Sequence, residues 1–285
     1  MRGRWWIDRC KMNPPDHTTL DKIHRFLDEA GDTTFFGKGR VPMLGKDGVS
    51  LSFGLGMVKF AAPVAEVREQ VVNLCRAVEA DAYLNRIPSV VKRVQSGGFF
   101  FHAKDDSPEV RERLFKWIYQ TDCSLEMVVG RKIPALFAKK HNGNESEFYA
   151  DLLSHLLKNK LKLGQRQVIN IAERGKTTRN HVLQLAMQKA TERFAKKQDA
   201  AEISSEVVFN VQTPRTEPLL SVTDYLAWTV QRVFERGETR HYDFVRKRIS
   251  LVVDIYDAEK YEGNRNYYTS KRPLTAENKL GPPVS

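Results

Sequence analysis

Segments with strand character alternate along this chain with segments of helical periodicity. Strand patterns, in which apolar and polar residues alternate or apolar residues cluster, occur at 23–28, 50–60, 99–103, 123–129, 167–172 and 203–211. Helical patterns occur at 63–84, 108–120, 146–161, 180–197 and 219–235, and 242–253 fits either a helix or a last strand. This alternation predicts an α/β fold, with a mixed central sheet and helices on both faces.

The length of the chain sets its domain organisation. At 285 residues it can bury a substantial core, and no repeat, low-complexity segment or internal linker divides it. We therefore expect one main domain at 23–260. Residues 1–22, with Trp5 and Trp6, form an N-terminal extension, and residues 261–285 form a polar, proline-punctuated tail that lies over the surface or is disordered.

The net charge indicates the kind of partner, and the cysteines indicate the cellular compartment. The chain has 46 Lys and Arg against 35 Asp and Glu, a formal net charge of +11. This excess favours polyanionic partners, nucleic acid first, because phosphate contacts release counterions. No apolar run approaches the roughly 18–20 residues of a membrane span, and no secretory signal is visible. Three widely spaced cysteines argue against a disulfide framework or a zinc site, so we expect a cytoplasmic protein.

The sequence F-L-D-E-A-G-D at 26–32 places three carboxylates and a glycine where a strand pattern ends. Gly31 supplies the backbone freedom for a turn, and Asp28 ends the strand. Hard cations such as Mg²⁺ prefer carboxylate oxygens that are held on a rigid element. A polar turn rich in Asp explains the same letters without a metal, so the choice depends on acids elsewhere in the chain.

Two further acids occur in comparable contexts. Glu173 ends the strand pattern Q-V-I-N-I-A, and Asp224 lies inside the apolar helix pattern L-L-S-V-T-D-Y-L-A-W. A carboxylate surrounded by apolar residues must be paired or bind a metal, because burying it alone is costly. Arg232, two turns further on, is the alternative partner for Asp224. Two strand-end acids and one acid on a late helix are the arrangement of two-metal phosphodiesterases.

His102 lies in the sequence F-F-H-A-K-D-D, where another strand pattern ends. A histidine there could orient or protonate a leaving group, or bind a metal, and a purely structural role is the alternative. Asp105 and Asp106, which follow it, are equally suited to capping the helix predicted at 108–120.

Three motifs, in this order, resemble the bacterial family called domain of unknown function 3800. F-L-D-E-A-G-D resembles its opening D-E-S-G-D, F-F-H-A-K-D-D resembles its His-containing strand end, and L-L-S-V-T-D-Y-L-A-W resembles its late helix with an Asp. The resemblance runs from about residue 23 to residue 250, and the order and spacing of the motifs carry it. That family is regarded as ribonuclease H-like, so the resemblance implies a ribonuclease H-like mixed sheet and a metal-dependent nuclease site.

The resemblance also implies roles for single residues. Asp28 and Glu29 match the first acidic pair of the family, and Asp224 matches the Asp of its helix. His102 matches its histidine, and Glu173 matches a strand-end position that is commonly Asp.

Three positions depart from the family pattern. Ala30 replaces the usual Ser, and Val222-Thr223 replaces the common small-residue lead-in to the helix Asp. Glu173 replaces Asp, which lengthens a ligand arm and leaves its role open.

Together these observations favour a Mg²⁺- or Mn²⁺-dependent nuclease or related phosphodiester hydrolase that acts on RNA or DNA. In this interpretation Asp28, Glu173 and Asp224 are metal ligands, Glu29 is an alternative ligand, and His102 is an auxiliary acid or base. Basic helices would steer the phosphate backbone.

Two other functions differ in what the acids do. In a non-catalytic nucleic-acid-binding or assembly subunit on the same fold, the acids are structural, and the N-terminal tryptophans and the tail contact a protein partner or a second copy in a homo-oligomer. A nucleotide-binding enzyme is disfavoured, because the chain has no G-x-x-x-x-G-K-[ST] and G-K-G-R at 37–40 does not meet the dinucleotide fingerprint.

Overall fold

The computed structural model describes residues 21–46, 48–161, 165–173, 180–197, 206–257 and 262–281. Within these residues seven strands form one sheet and eight α-helices pack around it. The strands are β1 (Asp21–Gly31), β2 (Ser52–Phe60), β3 (Cys123–Arg131), β4 (Gln165–Ala172), β5 (Glu206–Gln212), β6 (Ile249–Asp254) and β7 (Tyr267–Tyr268). The helices are α1 (Val64–Ala80), α2 (Pro88–Gln95), α3 (Pro108–Gln120), α4 (Pro134–His141), α5 (Glu145–Leu157), α6 (Asn180–Lys197), α7 (Leu219–Arg236) and α8 (Arg240–Val245).

The sheet is mixed, and β1 lies near its middle. The strand order is β5-β4-β1-β2-β3-β6-β7. β1 pairs in parallel with β4 and antiparallel with β2, while β3 pairs in parallel with β6. The predicted α/β fold with a mixed sheet is therefore confirmed, and the layout is compatible with a ribonuclease H-like arrangement. None of the helices in the described ranges is both long and apolar enough to cross a membrane.

Alternate residues of β1 point into two separate cores, one on each face of the sheet. Phe26 and Ala30 belong to the core that includes α1, α3 and α7, and we call this side the α7 face. Leu27 belongs to the core that includes α5 and α6, and we call this side the α5 face. A strand that is covered on both faces must be apolar in both directions, which explains the near-continuous apolar pattern of the central strands.

Several predicted elements have the expected bounds. The helices predicted at 108–120 and 180–197 are α3 and α6, and the Ser107 hydroxyl accepts a hydrogen bond from the N–H of Val110 to cap α3. The segment 242–253, which fits either a helix or a strand, contains both: α8 ends at Val245 and β6 begins at Ile249. The short helices α2 and α4 were not predicted. Of the strand predicted at 203–211, the first three residues lie outside the described ranges.

The strand predicted at 99–103 is wrong. These residues form an extended loop that pairs with no neighbouring strand in the part of the chain described. Phe99 and Phe101 are buried, which accounts for the alternating pattern. The backbone instead bonds to side chains, since the Ser221 hydroxyl donates to the carbonyl of Phe101 at 2.7 Å. Apolar alternation reveals burial, but not where the backbone hydrogen bonds go.

The two ends of the chain were predicted to lie apart from the main domain. The N-terminal extension, with Trp5 and Trp6, falls almost wholly outside the described residues. In the C-terminal segment at 262–281, Leu274 and Leu280 are buried. The N–H of Leu280 donates to the carbonyl of Phe234 at 2.7 Å, so this part of the tail packs against the end of α7.

Helix α7 approaches β1 and β2 closely, and Gly56 makes this approach feasible. A Cβ atom at Gly56 would lie 3.1 Å from the Cβ of Ala227 and 3.0 Å from Cδ1 of Leu125. The hydroxyl of Thr223 donates to the carbonyl of Phe26 at 3.1 Å, which ties the helix directly to β1. A side chain at position 56 would therefore separate α7 from the sheet.

We expect Gly56→Ala to lower the free energy of unfolding by about 1–3 kcal/mol, because the added methyl group overpacks the contact between α7 and the sheet. Urea denaturation measures the change. Gly281→Ala is the matched control, since a Cβ at Gly281 meets no atom within 4 Å. Equal stability of the two variants would show that α7 can move away from the sheet without cost.

Candidate functional site

Asp28 lies near the carboxyl end of β1 on the α7 face. It shares this face with Phe26 and Ala30 because strand residues two apart point the same way. The N–H of Glu29 donates to Oδ1 of Asp28 at 2.7 Å. The register partner of Asp28 on β2 is Gly56, which has no side chain, so α7 can pack directly beside the carboxylate.

Asp224 lies in the second turn of α7 and is partly buried, between the buried residues Thr223 and Tyr225. Its Oδ2 atom accepts a hydrogen bond of 2.7 Å from the N–H of Ala103. Because Thr223 is bonded to β1, the helix holds Asp224 against the same strand that carries Asp28. We call Asp28 and Asp224 the acid pair.

The two carboxylates of the acid pair interact electrostatically. Burial and then the charge of Asp224 raise the pKa of Asp28 well above its ordinary value. Burial also raises the pKa of Asp224, although the charge of a protonated His102 and the N–H of Ala103 act in the opposite direction. A pair of this kind favours binding a proton or a cation, since either one relieves the repulsion.

Arg232, the alternative partner considered for Asp224, is bound elsewhere. Its guanidinium forms an ion pair with Glu238 and lies 5.1 Å from the ring centroid of Trp228. Within the described residues neither carboxylate of the acid pair forms an ion pair with a lysine or an arginine, and burial raises the pKa of both. A structural ion pair with Arg232 therefore does not explain Asp224.

The loop at 99–106 is bonded to α7 around a buried carboxylate, Asp106. Oδ2 of Asp106 accepts from the N–H of His102 at 2.9 Å and from the hydroxyl of Tyr225 at 2.5 Å, and Oδ1 accepts from Arg93. Asp106 thus has a structural task, but it binds the loop rather than capping α3. The bonds fix His102 and Ala103 beside Asp224.

The imidazole of His102 is partly exposed and lies near a carboxylate. Its Nδ1 atom is buried, lies 3.6 Å from Oδ2 of Asp105, and makes no hydrogen bond within the described residues. The side chain as a whole is 39% exposed. A partly open imidazole near a carboxylate is suited to holding a proton or orienting a ligand.

The structure does not bring Glu29 and Glu173 into the acid pair. Glu29 follows Asp28 on β1, so strand alternation directs it to the α5 face. Glu173 comes directly after β4, and its N–H donates to the carbonyl of Gln212 at 2.8 Å. The pairing of β1 with β4 ends at Leu27 and Ile171, and Ile171 packs in the core of the α5 face. Alternation along the chain assigns Glu173, two residues further on, to that same face. Of the three predicted metal ligands, Asp28 and Asp224 therefore lie together on the α7 face, and Glu173 is assigned to the α5 face.

The acid pair fits a hard divalent cation by its donor chemistry. Carboxylate oxygens are the ligands that Mg²⁺ and Mn²⁺ prefer, and Asp224 lies close enough to Asp28 for its charge to raise the pKa of Asp28. Across the described ranges no group of three or more His, Cys, Asp or Glu side chains is arranged to hold a metal ion.

Asp32, the last acid of the F-L-D-E-A-G-D motif, has a structural task that the sequence did not reveal. Lys132 Nζ donates to its Oδ1 atom at 2.8 Å, and the N–H and hydroxyl of Ser50 donate to its Oδ2 atom, each at 2.8 Å. Although burial acts to raise it, these hydrogen bonds lower the pKa of Asp32 below its ordinary value. A lysine one hundred residues away cannot be identified as its partner from local sequence patterns.

Comparison with known proteins does not identify a family. No protein-family model matches the chain, and no match was found among curated proteins. The resemblance to the domain of unknown function 3800 family therefore stays a prediction that rests on the three motifs.

The raised pKa of Asp28 gives stability a pH dependence. A carboxyl group whose pKa is higher in the folded than in the unfolded protein destabilises the fold when it ionises. The free energy of unfolding therefore falls as the pH rises from about 4 through the folded-state pKa. Asn cannot ionise, so we expect Asp28→Asn to raise the thermal midpoint by about 2–4 °C at pH 8, the shift that about 1 kcal/mol produces in a domain of this size. Calorimetry in EDTA from pH 4 to pH 8 measures the difference, which should vanish near pH 4.

Asp32→Asn is the matched control, and we expect it to change the stability in the opposite direction. The pKa of Asp32 is lowered in the folded protein, so its stabilisation is present at neutral pH and is lost as pH falls through the folded pKa. We expect this variant to be about 1–3 kcal/mol less stable than wild type at pH 8, because Lys132 loses its partner. Shifts of the same sign in both variants would contradict the assignment of Asp28.

Proposed function

We propose that the protein is a divalent-metal-dependent phosphodiester hydrolase that acts on nucleic acid, with the acid pair as its site. One observation supports this most directly: two carboxylates from different elements converge on one face of the sheet, and neither forms an ion pair with a lysine or an arginine among the described residues. The net charge of +11 supports a polyanionic substrate. The proposal keeps the expected Mg²⁺ or Mn²⁺, but it uses one cation.

Each residue of the site has a defined task in this proposal. When bound, Mg²⁺ or Mn²⁺ supplies Lewis-acid stabilisation of the charge that develops on a phosphodiester. Asp28 and Asp224 hold the cation, and the N–H of Ala103 fixes the orientation of Asp224. His102 holds a proton that it can deliver to the leaving oxygen. Glu29 and Glu173 take no part, because the strand registers direct them to the other face.

Metal binding can be tested without a substrate. We expect Mn²⁺ to raise the thermal midpoint of the wild type, since a ligand at a hundredfold excess over Kd stabilises by about 2.7 kcal/mol. Asp28→Asn and Asp224→Asn should lose this response, because each removes a ligand. Asp32→Asn should keep it, since Asp32 is bound to Lys132. An equal response in the wild type and both acid-pair variants would show that the metal binds elsewhere.

Cleavage is tested with labelled single- and double-stranded RNA and DNA in Mg²⁺ or Mn²⁺. We expect cleavage that EDTA and Asp28→Asn both abolish. His102→Gln should lower the rate by about a hundredfold, the usual contribution of a general acid, while keeping the metal-dependent rise in the thermal midpoint. Binding of nucleic acid that is unchanged by EDTA, with no cleavage, would instead favour the non-catalytic binding subunit.

A further inference from the structure

A cleft lined by aromatic side chains opens on the α5 face, beyond the end of β1. Its volume is about 410 Å³, within the roughly 300–1,000 Å³ range of ligand sites. We call it the aromatic cleft, and it is lined by Phe35, Phe36, Arg40, Phe137, Ala138, Gly143 and Glu145. The acid pair lies on the opposite face, so the cleft is a separate feature.

The inner wall of the aromatic cleft is preformed. The rings of Phe35 and Phe137 stack with centroids 3.8 Å apart and an angle of 6°, and Phe148 packs edge-on against Phe35 at 5.2 Å. The buried ammonium group of Lys132 lies 6.0 Å from the centroid of the Phe35 ring and is bonded to Asp32. A ligand would therefore meet a rigid apolar wall, which lowers the entropic cost of binding.

Phe36 lines the aromatic cleft and is only partly buried. Its centroid is 6.3 Å from Phe137 and 6.5 Å from Phe35, with interplanar angles of 36° and 30°, so neither ring stacks on it. Its backbone is fixed by a β-bridge to Pro42. A half-buried aromatic ring in the wall of a cleft can stack on a planar ligand.

Arg40 supplies a positive charge at the rim. It is exposed, and among the described residues its guanidinium forms no ion pair or hydrogen bond with another side chain. Its Nη2 atom lies 3.8 Å from the position of a Cβ built on Gly143, so the side chain reaches toward the loop between α4 and α5. Its φ angle is 60°, a left-handed conformation that suits glycine better than arginine. An exposed guanidinium in the lining of a cleft favours a ligand with a negative charge.

Glu145 supplies a hydrogen-bond acceptor at the other side of the cleft. It lies at the start of α5, and its Oε2 atom accepts from the hydroxyl of Thr33 at 2.5 Å. A carboxylate in this position can also accept an N–H group from a ligand. The cleft thus combines a planar apolar surface, a guanidinium and a carboxylate.

We propose that the aromatic cleft binds one nucleotide unit of a single-stranded nucleic acid or a free nucleoside monophosphate. The base stacks on Phe36, the phosphate contacts Arg40, and an amino group of the base donates to Glu145. A purely apolar ligand would leave Arg40 and Glu145 unused. The proposal goes beyond the hydrolase function, because this binding requires neither a metal ion nor the acid pair.

The test measures binding in EDTA, so cleavage cannot interfere. Fluorescence anisotropy with labelled 12-nucleotide RNA and DNA reports the strand, and calorimetry with adenosine 5′-monophosphate reports the free nucleotide. We expect Arg40→Gly and Phe36→Leu to raise Kd about tenfold for whichever ligand binds the wild type. The thermal midpoint of Arg40→Gly should not fall, since glycine relieves the strain at φ 60°.

Two controls separate this site from general charge and from the acid pair. Arg86→Ala removes one exposed positive charge after α1, away from the cleft, and should leave Kd within about twofold. Asp28→Asn should also bind as the wild type does, whatever its effect on cleavage. If neither ligand binds, or if Arg40→Gly and Phe36→Leu bind as tightly as the wild type, the cleft proposal is overturned. The hydrolase proposal would then still be judged by metal response and cleavage alone.

Discussion

The contact between α7 and the two strands β1 and β2 is the constraint on which the candidate site depends. Gly56 lets the helix approach, and Thr223 ties it to the carbonyl of Phe26. Near the other end of α7, Glu235 accepts hydrogen bonds from the backbone N–H groups of Leu51 and Ser52. Because both ends of the helix are bonded to the sheet, Asp224 cannot turn away from the strand that carries Asp28 without breaking these contacts.

The same contact brings the carboxylates of Asp28 and Asp224 together, which lowers the stability of the folded state. Burial and then the charge of Asp224 raise the pKa of Asp28, so its ionised form destabilises the native state. Only four residues further on, Asp32 is stabilised by Lys132 and Ser50, and its pKa is lowered. Two aspartates of one motif thus have opposite effects on stability. Asp28, whose pKa is raised, is the better candidate for a functional group, because carboxylates with perturbed pKa values cluster where ligands bind.

Local patterns predicted much of this arrangement. Strand and helix periodicity predicts the α/β fold. The apolar surroundings of Asp224 and the strand context of Asp28 single out both residues as candidate functional carboxylates. The face of the sheet was harder to predict: Glu173 ends a strand as expected, yet alternation along β4 directs it away from Asp28. The loop around His102 was mistaken for a strand because burial of its phenylalanines imitates strand alternation. The aromatic cleft joins Phe36 to Phe137, and no local pattern records so distant a contact.

The loop that carries His102 is bonded to α7 through Ser221, Asp224 and Tyr225. These bonds hold the loop on the helix, so the position of His102 is fixed relative to Asp224. Asp28 belongs to a strand with hydrogen-bonded partners along both edges. A ligand at the acid pair therefore meets the imidazole and the second carboxylate as one preassembled unit, and any substitution that displaces the loop changes both groups at once.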